Sequence, residues 1–292
     1  MRLTKQHIVQ LNELAANNRN HLLNSTLYNE IISADELDIL WPESAQLTTQ
    51  TANLLADIAS TSKVLSSIYI RAPKDIIIEM IPHLSKAPSL QTVNLWNNKL
   101  GEHAIIVAEH LSKAPSLQNI KLGTNNLGGH AVAVAAHLSK VPSLQTVKLS
   151  GNQLGEHAVA VAAHLSKIPS LETLELWDND LGEYAVAVAK HLSEAPSLQQ
   201  VNLFYNILGE HAVAVVEHLS KAPSIKSINL FSANITEDTQ AAITELINAR
   251  NRHNDEVIKY LMTHESFLAP TQVVQLIGDY LPGNIDLNID IP

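Results

Sequence analysis

A step of 27 residues governs this sequence. Counting forward from Pro88 by that step lands on Pro115, Pro142, Pro169, Pro196 and Pro223, and the same step carries Leu95 to Leu122, Leu149, Leu176, Leu203 and Leu230. A fixed period of this size excludes a single closed core. Each copy is too short to bury its own apolar face and must cover it with the next copy, which predicts one elongated repeat array. A hydrophobic fraction of 46% over 292 residues supplies enough apolar side chains for an ordered body.

Within each copy two periodicities alternate. Leu90, Val93, Leu95, Asn98 and Leu100 recur as Leu117, Ile120, Leu122, Asn125 and Leu127, then as Leu144, Val147, Leu149, Asn152 and Leu154, with two further copies. Alternating apolar residues at the second and third positions describe a short strand, and strands of successive copies pair in parallel. The Asn ends the strand at a bend, where its amide can satisfy backbone groups. Asn98, Asn125, Asn152, Asn179 and Asn206 should therefore form a ladder. After each bend the spacing changes to that of a helix: Ala131, Val134, Ala135 and Leu138 fall at i, i+3, i+4 and i+7. A Pro follows and presets the return to the next strand. Val132 widens the apolar stripe, while Glu102, Glu109 and Lys113 and their counterparts keep a polar outer line.

The pattern LxxLxLxxNxL resembles the leucine-rich repeat, with five close matches. One α-helix per copy is similar to the ribonuclease-inhibitor-like subclass, here slightly short. That resemblance spans roughly residues 35–250 and implies an α/β solenoid, curved, with a parallel β-sheet on the concave face and α-helices on the convex face. The domain plan that follows has three parts. Residues 1–33 form an N-terminal helical cap, with Thr4 capping a helix through Ile8, Leu11 and Leu14 and a second helix over about 20–32. Residues 34–250 form the solenoid: two degenerate repeats at Leu37–Pro42 and Ile68–Pro73, each with a following helix near 47–60 and 75–84, then five regular repeats and one terminal repeat. In the terminal repeat Ala233 replaces the turn Asn and Thr236 caps a more polar helix to about Arg250. Residues 251–292 form a C-terminal helical extension, with helices over about 254–263 and 271–281 and then a tail, NIDLNIDIP.

The copies can be compared with one another. Their framework is nearly invariant, but the outward strand positions are not. The residue between the two core positions reads Asn94, Lys121, Lys148, Glu175, Asn202, Asn229. The residue after the second reads Trp96, Gly123, Ser150, Trp177, Phe204, Phe231, and the next column reads Asn97, Thr124, Gly151, Asp178, Tyr205, Ser232. These side chains point away from the core, onto the face that solenoid proteins use for binding. Two zones result: small residues beside Lys121 and Lys148, with Trp96 ahead of them, and then Trp177, Phe204, Tyr205 and Phe231 with Glu175, Asp178 and Asp180. Aromatic side chains on parallel strands about 4.8 Å apart would make a contiguous apolar strip of the kind that marks a protein partner. A plainer account is that the large residues shield the sheet and that Lys148 and Glu175 form a cross-strand pair. Trp96, Lys121, Lys148, Glu175, Trp177, Asp178, Phe204, Tyr205 and Phe231 are the candidate partner-binding residues.

Other classes of function find less support. A formal charge of −10 argues against nucleic acid and anionic membranes as partners. The absence of cysteine excludes thiolate catalysis, disulfides and Cys-ligated zinc. No apolar run is long enough to span a bilayer, and the start, MRLTKQHIVQLNEL, lacks a secretory core, so a soluble protein is expected, acting as a monomer. His110, His137, His164, His191 and His218 recur at helix ends, and His103, His130, His157 and His211 stand seven residues before four of them. Helices about 8–10 Å apart and about 10 Å along one helix keep three rings from converging, so no metal is expected. No phosphate loop, HExxH or GxSxG motif is present, and neither an enzyme nor a cofactor is expected. The chain is similar to the leucine-rich-repeat effectors that intracellular bacterial pathogens inject into host cells, which implies a host protein as partner, a place in the host cytoplasm reached by a non-classical signal, and a role in virulence. Residues 268–281 faintly resemble the opening helix of an F-box, so a ubiquitin-ligase substrate adaptor is the alternative, against the plainer reading of a capping helix.

Overall fold

The computed structural model describes residues 1–17, 26–40, 48–230, 236–264 and 286–288. The chain falls into two compact units, Met1–Asn152 and Gln153–Pro292.

The first unit runs α1 (Lys5–Asn17), α2 (Thr26–Ser33), β1 (Glu36–Leu40), α3 (Thr49–Thr61), β2 (Ser67–Arg71), α4 (Lys74–Leu84), β3 (Thr92–Asn94), α5 (Ala104–Leu111), β4 (Asn119–Lys121), α6 (Ala131–Leu138) and β5 (Thr146–Lys148). Its strands pair in sequence order and in parallel, with Leu37 opposite Ile68, Val93 opposite Ile120 and Ile120 opposite Val147. The second unit runs α7 (Ala158–Leu165), β6 (Thr173–Glu175), α8 (Ala185–Leu192), β7 (Gln200–Asn202), α9 (Ala212–Leu219), β8 (Ser227–Asn229), α10 (Glu237–His264) and β9 (Asp286–Asn288). There Leu174 stands opposite Val201 and Val201 opposite Ile228. In both units strands lie on strands and helices on helices, with the apolar core between the layers. This is the α/β solenoid fold that the 27-residue period predicts, and it is consistent with the leucine-rich-repeat architecture that the motif resemblance implies.

The helix faces are those the spacing marks. Ala131, Val134, Ala135 and Leu138 of α6 have no exposed surface, and neither have Ala158, Val161, Ala162 and Leu165 of α7. Each burial of a Val or Leu side chain contributes about 1.5–3 kcal/mol, repeated in every copy. Before each of these helices stands a three-residue 3-10 turn, as at Gly128–His130. Its first residue has φ near +50° in all five copies, from Gly101 to Gly209. A Cβ at Gly101 would meet nothing within 4 Å, so the glycine serves backbone conformation and not space.

The Asn ladder is present and fully inside. Asn125 Oδ1 accepts from the Asn98 N–H at 2.9 Å, and Asn152 Oδ1 accepts from the Asn125 N–H at 2.8 Å. In the second unit Asn206 Oδ1 accepts from the Asn179 N–H at 3.0 Å. A second ladder, unread in the sequence, runs along the returns: Ser116 donates to the Pro88 carbonyl at 2.7 Å, Ser197 to that of Pro169 at 2.6 Å and Ser224 to that of Pro196 at 2.8 Å. Both ladders satisfy backbone groups that strands only three residues long cannot reach.

Near the termini the structure departs from the sequence reading. Thr4 does cap α1, accepting from the His7 N–H at 3.3 Å while His7 Nδ1 accepts from the Thr4 N–H at 3.2 Å. Residues 1–3, however, are not helical. The Leu3 N–H donates to the Asp38 carbonyl at 3.0 Å and the Asp38 N–H to the Met1 carbonyl at 2.8 Å, so this segment covers the free edge of β1. At the other end, Thr236 caps α10 through the Thr239 N–H at 3.3 Å. The break expected after Arg250 is absent: α10 is a single helix of 28 residues. Asn251–Asn254 contains no Pro or Gly, and Asn, Arg and His lower helix propensity too little to end a helix by themselves. The tail contributes a strand, β9, paired in parallel with β8, where Ile228 stands opposite Leu287. The Ile-Asp-Leu-Asn alternation around it carries the period of two that a strand requires. The helix expected over about 20–32 is seen as α2 from Thr26, with residues 20–25 outside the described residues, and the helix expected over 271–281, with the F-box-like stretch, lies outside them as well.

Candidate interaction surface

Five segments present their variable side chains on the sheet face, between a buried strand and a buried turn Asn. The backbone at each turn is unusual. Asp178, Asp180, Tyr205 and Ile207 have φ of +57°, +55°, +55° and +46°, and Asn97, Lys99, Thr124, Asn126 and Gln153 share the left-handed region. Such φ values favour Gly, Asn or Asp, and a β-branched residue such as Ile207 is strained there. What holds the turn is the ladder below it: Asn206 Oδ1 accepts from the Asn179 and Leu181 N–H groups at 3.0 and 3.4 Å, and the Asp178 N–H donates to the Phe204 carbonyl at 2.9 Å.

In the second unit Trp177, Phe204 and Tyr205 come together. Trp177 and Phe204 meet edge to face with centroids 6.3 Å apart and planes at 63°, and Phe204 and Tyr205 do so at 4.1 Å and 66°. Trp177 and Phe204 are half-buried, whereas Tyr205 is 54% exposed. Asp178 is exposed beside Trp177, and Glu175 is half-buried on β6 opposite Asn202. Phe231 lies outside the described residues.

In the first unit Trp96, Lys121 and Lys148 are half-buried. Trp96 bends over the neighbouring strand. A Cβ built on Gly123 would lie 2.1 Å from its ring, so the glycine makes room for the indole. Lys121 and Lys148 stand directly opposite each other on β4 and β5, a like-charge pair that concentrates positive potential on this face. The column read as freely variable is partly structural. Asn94 Oδ1 accepts from the Trp96 N–H at 3.1 Å, and Asn202 Oδ1 accepts from the Phe204 N–H at 3.1 Å, each securing the aromatic residue two positions on.

One surface residue escaped the sequence reading. Ile207 is 63% exposed, the most exposed large hydrophobic side chain in the described part of the chain. It occupies a column after the turn Asn that reads Lys99, Asn126, Gln153, Asp180, Ile207. Comparing that column between copies would have found it. Among the described residues no three His, Asp or Glu side chains are grouped as metal ligands would be, and no helix is long and apolar enough to cross a membrane. Compared with protein-family models and with curated proteins, the sequence matches none.

Proposed function

We propose that this protein is a non-catalytic recognition module that holds a protein partner on the sheet face of its repeats, with Trp177, Phe204 and Tyr205 at the centre of the contact. The observation that carries the reading is the joined aromatic cluster in the second unit, at columns where some copies carry only Gly, Ser, Asn or Thr. The scaffold does not need large residues there. Aromatic side chains clustered at a partly exposed face are the common anchors of protein interfaces. Ile207, exposed and conformationally strained, extends the same face.

Within the leucine-rich-repeat class we assign the ribonuclease-inhibitor-like subclass, because each regular 27-residue copy carries one strand and one α-helix. The near-identity of the copies supports recent internal duplication. Together with the resemblance to injected bacterial effectors, it makes a host-cell protein the proposed partner and the host cytoplasm the proposed place of action. The test is Trp177→Ala/Phe204→Ala/Tyr205→Ala compared with wild type by proximity labelling in host-like cells, with melting temperatures measured in parallel. Loss of the labelled partner at an unchanged melting temperature supports the reading. Labelling that survives the triple variant assigns the rings to the scaffold instead.

A further inference from the structure

We propose that the segment received on the Trp177–Phe204–Tyr205 face is cationic: a stretch of the partner with Arg or Lys beside apolar residues, its headgroup seated against the rings and its charge met by Asp178 and Asp180. This deepens the docking reading above and rests on it.

The argument starts from where the charge lies. Residues 1–152 contain 12 Lys and Arg against 11 Asp and Glu, whereas residues 153–292 contain 7 against 18. The second unit therefore accounts for the whole net negative charge of the chain. On the five regular strand-and-turn segments the signs separate, while Lys226, just before β8, donates to Gln199 Oε1 at 3.0 Å. Residues 171–181 and 198–208 hold Glu172, Glu175, Asp178 and Asp180 with no Lys or Arg, while 90–100, 117–127 and 144–154 hold Lys99, Lys121 and Lys148 with no Asp or Glu. The aromatic cluster stands only in the acidic group.

Aromatic rings and carboxylates on one face select a particular ligand chemistry. The interplanar angles of 63° and 66° make an angled wall and not a flat stack, and Tyr205 at its edge is 54% exposed. Ring faces carry negative potential and attract Lys, and more often Arg. A purely apolar segment would cover the rings and leave the neighbouring carboxylates without counter-charge, and an anionic segment would be repelled. Arg fits best, because its planar fork stacks on a ring and pairs with a carboxylate at once.

The site is also built in advance. Asp178 and Asp180 are exposed, held at left-handed φ by a turn whose N–H groups are tied to Phe204 and Asn206. Little ordering is left for binding to require. Asn tolerates the same φ, so exchanging these two carboxylates for amides removes charge without disturbing the turn.

The experiment uses the full chain and four fluorescein-labelled 12-residue peptides that share the same Leu and Ser positions and carry Arg, Lys, citrulline or Glu at three others, read by fluorescence anisotropy. The expected order is Arg, then Lys, with citrulline, which keeps the shape of Arg and lacks its charge, at least about ten-fold weaker and Glu showing no binding. Added salt should weaken the Arg peptide. Asp178→Asn/Asp180→Asn should weaken the Arg peptide about ten-fold and leave the citrulline peptide unchanged, whereas Trp177→Ala/Phe204→Ala should abolish both. Equal binding of the Arg and citrulline peptides, binding of the Glu peptide, failure of all four, or indifference to the Asp changes each overturns the cationic occupant. The proximity-labelling result for the ring variant then decides the docking reading separately. Self-association in sedimentation that disappears both in Asp178→Asn/Asp180→Asn and in Lys121→Gln/Lys148→Gln would make a second copy the occupant, and would also overturn the proposal.

Discussion

Asn125→Ala measures how much the buried amide ladder contributes. The side chain has no exposed surface. Its Oδ1 accepts from the Asn98 N–H at 2.9 Å and the Leu100 N–H at 3.4 Å, and its Nδ2 donates to the Leu95, Leu122 and Gly123 carbonyls at 2.9, 2.9 and 3.1 Å. Truncation does not orphan all five groups. The Leu122 carbonyl keeps the Asn152 amide at 3.0 Å, and that of Gly123 keeps the Asn97 N–H at 2.9 Å. Those that lose a good partner are the Asn98 N–H and the Leu95 carbonyl. A buried polar group left unpaired costs about 1–3 kcal/mol, so the two together give about 2–6 kcal/mol, with about 4 kcal/mol expected. Asn119→Ala is the matched control: the same deletion on β4, half-buried, with a single bond to Thr92 Oγ1 at 3.2 Å. It should cost less than about 1 kcal/mol. Asn125→Asp should cost more than Ala, because it keeps the acceptor but turns an oxygen toward three carbonyls. Guanidinium unfolding followed by circular dichroism gives the energies, and hydrogen exchange at the Asn98 amide gives the local opening. If Asn125→Ala falls within about 1 kcal/mol of Asn119→Ala, or Asp proves milder than Ala, the ladder is not what holds the turns.

Four other outcomes follow from the same structure. Gly123→Ala would drive a methyl into the Trp96 ring; it should destabilise by about 1–3 kcal/mol and shift indole emission, and Trp96→Ala should relieve it in a double-mutant cycle. Thr236→Val should cost about 1 kcal/mol by uncapping α10, seen as accelerated hydrogen exchange in its first turn. Hydrogen bonding and attraction from Lys113 and from Lys221 hold the Glu109 and Glu217 carboxyls below the usual range. A depressed native pKa stabilises above the unfolded carboxylate range and is lost as pH falls through the native value, so NMR titration should show both shifts vanish in Lys113→Met and Lys221→Met. Leu287→Pro should break the pairing of β9 with β8 and raise hydrogen exchange over residues 227–229; unchanged exchange would mean that β9 does not protect that edge.

The repeating part of the fold was legible because one physical demand recurs. Leu122, Ile120, Asn125 and Leu138 each answer a requirement set by identical neighbours, so a single copy explains the rest. The ends were less legible because their neighbours differ. Nothing in Met1–Leu3 signals a strand, since those residues pair only because β1 offers an unfilled edge, and the Ile-Asp-Leu-Asn stretch at β9 was too short to declare itself beside a helical extension. The serine ladder was missed for the opposite reason. Ser116 and its counterparts look like ordinary turn residues, and only the three-dimensional offset of about one repeat shows that each donates to the preceding return.

The candidate surface divides along the same line. Variation between copies pointed to Trp177, Asp178, Phe204 and Tyr205 because the core sets no side-chain size at those outward positions, although Asp178 and Tyr205 must still adopt a left-handed φ. The same test applied less cleanly to the middle column, where Asn94 and Asn202 vary from Lys and Glu yet fasten the following aromatic residue. It was not applied to the column of Ile207, which sequence intuition assigns to turn chemistry. Yet a β-branched residue is the worst choice for a left-handed turn position, and water is the worst surrounding for its side chain. Scaffold economy would favour Asn or Gly at that place, as Asn126 shows three repeats earlier. An Ile that satisfies neither backbone nor solvent is what the docking proposed for the neighbouring Tyr205 would account for.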